Sequence, residues 1–138
     1  MSWKDSLPKI VAVDFDGTLV EDDYPNVGRP HQDMIDACKA LKQAGVKLIL
    51  WTSRDNDTPD RALDRAVDYC RSIGLEFDAV NENLPELKEI FQNDTRKVYA
   101  DLYIDDKAIP ARQSPLYWAY RLGLWWSAVR RGFFPDGK

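Results

Sequence analysis

The chain has little of what a thiolate metal site, a disulfide framework or a membrane span would need. Its 138 residues include two cysteines and one histidine. Cys38 and Cys70 fall within helix-like apolar patterns, without a CxxC pair or a nearby His, so they read as buried thiols. Long apolar runs are missing too. Val46–Trp51 is interrupted by Lys47 and is far shorter than the roughly 20 residues a span requires. Met1–Lys9 has no apolar signal-peptide core, so no membrane partner and a cytoplasmic location are expected. Nor does one sign of charge dominate. Nineteen Lys and Arg against 23 Asp and Glu leave a net charge of −4, which argues against a general polyanion binder while leaving a local nucleic-acid end open. Repeats, low-complexity tracts and linkers are also lacking, and 44% hydrophobic residues suffice for a core. Disorder is excluded, and residues 1–138 read as one domain.

What is present alternates between two periods. Lys9-Ile-Val-Ala-Val-Asp-Phe-Asp is a β-branched run ending in acids and Gly17, the pattern of a strand buried on both faces and then a turn. Pro30 to Gln43 places Met34, Ile35, Cys38 and Leu41 at helical spacing, with Gly45 as a C-terminal cap. Val46 to Thr52 reads as a second strand. Thr58-Pro59 opens a second helix, with a stripe of Leu63, Ala66, Val67, Cys70 and Ile73, closed by Gly74. Phe77–Val80 then predicts a short strand, Leu84–Phe91 a short helix, and Val98–Ile104 a further strand. The fold class expected is α/β: a single three-layer, doubly wound parallel sheet. A final aromatic helix is expected over about 114–131, with Gly123 in its middle.

Ligands of an open parallel sheet gather at the carboxyl ends of its strands. The chain puts its unusual polar residues at three such ends: Asp14 and Asp16, then Thr52-Ser53-Arg54, then Asp105-Asp106. Carboxylates converging on one cleft repel each other and require protonation or a cation. An all-oxygen set suits a hard ion such as Mg²⁺.

Asp14-Phe-Asp-Gly-Thr-Leu-Val, directly after a β-branched run, resembles the signature of the haloacid dehalogenase (HAD) superfamily, chiefly Mg²⁺-dependent phosphatases, and the resemblance spans roughly Ile10 to Ala108. It implies a Rossmann-like core and phosphomonoester hydrolysis through an aspartyl-phosphate on Asp14. Asp14 matches the nucleophile. Asp16 matches the general acid and base, with its backbone carbonyl helping to hold Mg²⁺. Thr52 matches the hydroxyl that bonds the transferring phosphoryl group, and Asp105-Asp106 matches the late acidic motif that binds the metal, whichever of the two ligates directly. The metal set implied is therefore Asp14, Asp16, Asp105 and Asp106. Ser53 and Arg54 are placed to bind substrate, and Asn56 lies close by.

For the lysine that neutralises nucleophile and phosphate, Lys97 is the match, with Lys88 and Lys107 as alternatives. One geometric requirement attends it: a wholly extended Val98–Ile104 would separate Lys97 from Asp105 by about 23 Å, so the segment must bend before Leu102. His31, at a predicted helix start, is assigned a structural role.

Both intervals between these motifs are already filled by core elements, so no large cap domain is expected. Val20–Gly28 can form only a small flap, and the phosphorylated substrate is not identified by the sequence. Transfer of the phosphoryl group to an acceptor other than water uses the same residues, and a catalytically silent interaction module on the same scaffold is the alternative outside enzymes. The aromatic faces around Trp118, Trp125 and Trp126 point to a homo-oligomer through the last helix.

Overall fold

The β-branched run after Lys9 forms β1 (Ile10–Val13), three of whose four residues are fully buried, as a strand covered on both faces must be. The computed structural model to which it belongs describes residues 7–108. The chain divides into two compact units, Met1–Asp106 and Lys107–Lys138, and the sheet belongs to the first. The helix expected over 114–131 lies outside the described residues.

After β1 come α1 (Gln32–Gln43), β2 (Lys47–Leu50), α2 (Ala62–Ser72), β3 (Ala79–Val80), α3 (Pro85–Phe91) and β4 (Leu102–Ile104). All strand pairs are parallel, in the order β3-β2-β1-β4. Alternation along β1 and β2 then separates two cores. Val11, Val13, Leu48 and Leu50 pack with Ile35 and Cys38 of α1 and Ala66 and Cys70 of α2. Ala12 and Ile49, on the other side, pack with Ala79, Leu84, Leu87 and Val98 around α3. One face is thus covered by two helices and the other by one, which is the doubly wound, three-layer arrangement expected from the sequence. Among the described residues no helix is long and apolar enough to cross a membrane.

Two elements start a full four residues later than the sequence reading, each for a local reason. The second helix starts at Ala62 rather than at Thr58-Pro59, because Arg61 adopts a left-handed conformation (φ 47°) that closes a turn back to Thr58. Asn56 then caps the helix from outside, its Oδ1 accepting the Asp64 N–H at 3.0 Å. The fourth strand is only Leu102–Ile104. Upstream, the Tyr99 N–H donates to the Asn83 side chain (2.6 Å) and the Asp101 carboxylate accepts from the Lys9 and Ile10 N–H groups, so side chains take backbone groups that a longer strand would pair. The chain therefore does bend before Leu102.

The strand order places a switch point between β1 and β4. From β1 the chain moves outward to β2 and β3, then crosses back to lie on the far side of β1. A crevice at the carboxyl ends of β1 and β4 is where such sheets hold ligands.

Candidate active site

Asp14 leaves β1 at that crevice, its N–H donating to the Ile104 carbonyl at 2.9 Å. This bond ties the end of β1 to the end of β4 and brings Asp105 and Asp106 alongside. Asp14, Asp105 and Asp106 each offer a carboxylate oxygen, and these oxygens lie within 4.8 Å of one another. Asp14 is half-buried and the other two are exposed. Burial pushes the Asp14 carboxyl from 3.8 up to about 6, helped by a hydrogen bond with Asp106 and by the negative charges of Asp105 and Asp106, against a lowering contact from the Phe15 backbone. Thr18 Oγ1 donates to Asp14 Oδ2 at 3.4 Å. The turn that follows Asp16 depends on Gly17, which sits at φ +81°, and a Cβ there would collide with the Asp106 carboxylate.

The Asp16 carboxylate is not part of this cluster. It is held by Arg54, whose Nε donates to Oδ2 at 2.8 Å and Nη2 to Oδ1 at 2.7 Å. The remaining guanidinium protons go to backbone carbonyls: Nη2 to Asn26 (2.6 Å), and Nη1 to Pro25 (3.0 Å) and Ala62 (3.0 Å). The rings of Phe15 and Tyr24 lie 4.9 and 5.3 Å from the guanidinium carbon. With its side chain 1% exposed, Arg54 is a buried residue. The substrate-binding role expected for it is corrected on this point, since a guanidinium has five N–H groups and all five are engaged within the protein. The metal-binding role expected of Asp16 is that of its backbone carbonyl, and its carboxylate lies outside the acidic cluster.

Thr52 and Ser53 follow β2, whose end is tied to β1 by the Trp51 N–H on the Val13 carbonyl (2.9 Å). The Thr52 N–H donates to Asn81 Oδ1 (2.8 Å), and the Thr52 hydroxyl oxygen accepts the Arg54 N–H (3.1 Å). A hydroxyl that accepts in this way retains its own proton to donate. Asn81 is itself left-handed (φ 53°), and its Nδ2 returns to the Arg54 carbonyl at 3.3 Å. Asn81 is a site-shaping residue that sequence reasoning missed; the signal was an Asn directly after a short strand, a residue type tolerant of that conformation. Ser53 is exposed in the same loop.

Two of the three candidate lysines have partners other than Asp14. Lys97 holds its ammonium 5.2 Å over the Tyr103 ring, and the Tyr103 hydroxyl donates to the Val98 carbonyl at 2.6 Å. Lys88 pairs with Glu82 at 3.0 Å. The third, Lys107, opens the second unit. His31 and Asn56 both serve the helices. His31 precedes α1, its Nδ1 donating to the Thr18 carbonyl (3.0 Å) while its backbone N–H meets the Leu19 carbonyl, and Asn56 caps α2.

Residues 20–30 make the flap foreseen between Val20 and Gly28. Val20 and Pro30 bridge in antiparallel fashion, the Glu21 N–H donates to the Arg29 carbonyl at 2.7 Å, and the peptide between Tyr24 and Pro25 is cis. Gly28 lies so close to the Glu21 carbonyl that a Cβ would collide with it.

A structure with this fold and similar sequence is that of a conserved protein coded by a locus of Bacteroides thetaiotaomicron. It is 37% identical, the match covers 82% of this chain and 89% of that one, and the TM-score is 0.63. The chain belongs to the same family as that protein. No family model and no curated protein matches the sequence.

Proposed function

We propose that the chain is a Mg²⁺-dependent phosphomonoester hydrolase of the HAD type, with Asp14 as its nucleophile. The observation that carries this reading is the meeting of Asp14, from the end of β1, with Asp105 and Asp106, from the end of β4, at the switch point of the sheet. Three carboxylates so close, with the pKa of one driven up by burial and by its neighbours, form a donor set that fits a hard divalent cation. Asp14, Asp105 and Asp106 would hold the ion, which when bound supplies charge neutralisation and Lewis-acid polarisation of a phosphoryl oxygen.

The chain's own residues account for the rest. An Asp14 carboxylate oxygen forms a bond to phosphorus as the ester P–O bond breaks, and the departing oxygen takes a proton from Asp16. Water then forms the new P–O bond, the Asp14–phosphorus bond breaks, and the water proton passes to Asp16. Thr52 donates its hydroxyl proton to a phosphoryl oxygen. Water as the acceptor is separated from a second substrate by product analysis.

The test is release of inorganic phosphate from a panel of phosphorylated metabolites, nucleotides and nucleic-acid 3′ and 5′ phosphate ends, with Mg²⁺ and with the ion chelated. Release from at least one ester class in Mg²⁺ and none under chelation is expected. No release from any ester would contradict the proposal.

A further inference from the structure

We propose that Arg54 is a positioning residue, a buried clamp that fixes the Asp16 carboxylate and the strap of residues 20–30 as one unit. The part concerning Asp16 rests on the phosphatase reading; the part concerning the strap does not. Arg54 reaches three separate stretches of chain: Asp16 after β1, the Pro25 and Asn26 carbonyls in the strap, and the Ala62 carbonyl at the start of α2. Its planar fork serves all of them at once, which the compact ammonium of a lysine does not do. The Phe15 and Tyr24 rings fix the guanidinium further, and Tyr24 itself belongs to the strap.

A buried guanidinium needs its counter-charge, so the ionised form of Asp16, the one that takes the water proton in the second half of the reaction, is held in one orientation by a bidentate pair rather than left to rotate. A carboxylate has about four lone-pair sites, and Arg54 occupies two of them, leaving others for a proton in transit. Moving the strap away would also remove two of the carbonyls on which the fork depends. The strap therefore supports Asp16 through Arg54.

The experiment uses the full chain and two variants, Arg54→Lys and Asp16→Asn, with two readouts. Amide hydrogen exchange reads the strap directly. Both variants should speed exchange of the Glu21 N–H and its strap neighbours by about tenfold or more while amides of β1 and β2 keep their protection. Native-like strap protection in both variants would overturn the clamp. Should Arg54→Lys fail to fold, Asp16→Asn gives the same reading from the other side of the pair.

The second readout is phosphate release from an alkyl ester, which needs leaving-group protonation, and from an activated aryl ester, which needs little. Arg54→Lys should slow the alkyl ester about a hundredfold more than the aryl ester, as Asp16→Asn should. The double variant should lose no more than Asp16→Asn alone. Equal losses on both esters, or losses that multiply in the double variant, would show that Arg54 does not act through Asp16. A native chain inactive on every ester would refute the phosphatase reading and with it the Asp16 part, while hydrogen exchange would still decide the strap.

Discussion

Gly17 sits at φ +81°, and its missing side chain leaves the space into which the Asp106 carboxylate fits. Gly17→Ala combines an unfavourable backbone conformation with a collision against a site carboxylate, so it should cost about 1–3 kcal/mol of stability. Denaturant midpoints measured without added metal check this, and an unchanged midpoint would contradict it. The two thiols are a second case where a single residue's surroundings set its chemistry. Burial pushes Cys38 up to about 11, and burial with the neighbouring Cys38 pushes Cys70 up to about 12. A thiol whose folded pKa is raised favours the native state below its ordinary pKa of 9.0 and loses that contribution as pH climbs through the raised value. Near pH 8 both should therefore resist a thiolate-trapping reagent in the native protein and react once it is unfolded. Rapid labelling of the native chain would show that one of them is not held as described.

Among the elements, the connection from α3 to β4 depends on one buried amide. Asn83 is fully buried; its Nδ2 donates to Asp94 Oδ1 at 2.8 Å and to the Thr95 carbonyl at 3.2 Å, and its Oδ1 accepts the Tyr99 N–H at 2.6 Å. Asn83→Ala removes the buried amide that joins these segments, several hydrogen bonds at once, and should cost about 1–3 kcal/mol, read from urea melts with an unchanged slope. A loss within a few tenths of a kcal/mol would mean the connection is held by other contacts. This same residue shows where the sequence became hard to read. β1, α1, β2 and α3 were legible because each announces its period through apolar residues alone. The start of β4 was not, because Asn83 and Asp101 divert backbone groups through side-chain bonds between positions far apart in sequence. At the site, Asp14, Asp105 and Asp106 were legible because they lie within two residues of a strand's carboxyl end. Arg54 reads in the sequence as a substrate donor because it is a cation just beyond Thr52, and only the fold shows carbonyls from two other segments consuming its protons.

At the scale of the whole molecule, the sheet order gathers carboxylates whose mutual repulsion a cation would relieve. In the metal-free protein the raised Asp14 pKa means that its protonated form favours folding at pH below the ordinary carboxylate value, and this contribution is lost as pH rises through about 6. Under the proposed function, protons and Mg²⁺ would compete for Asp14. The Mg²⁺-induced rise in melting temperature should be larger at about pH 7.5 than at about pH 5, and an equal rise at both would place the ion away from Asp14. The proposed role of Asp14 as the nucleophile of a phosphomonoesterase is decided by one comparison: phosphate release from an aryl phosphate in saturating Mg²⁺ by the native chain and by Asp14→Asn. A loss of several orders of magnitude is expected in the variant, with its melting curve still cooperative. Phosphate release by Asp14→Asn at the native rate would contradict it.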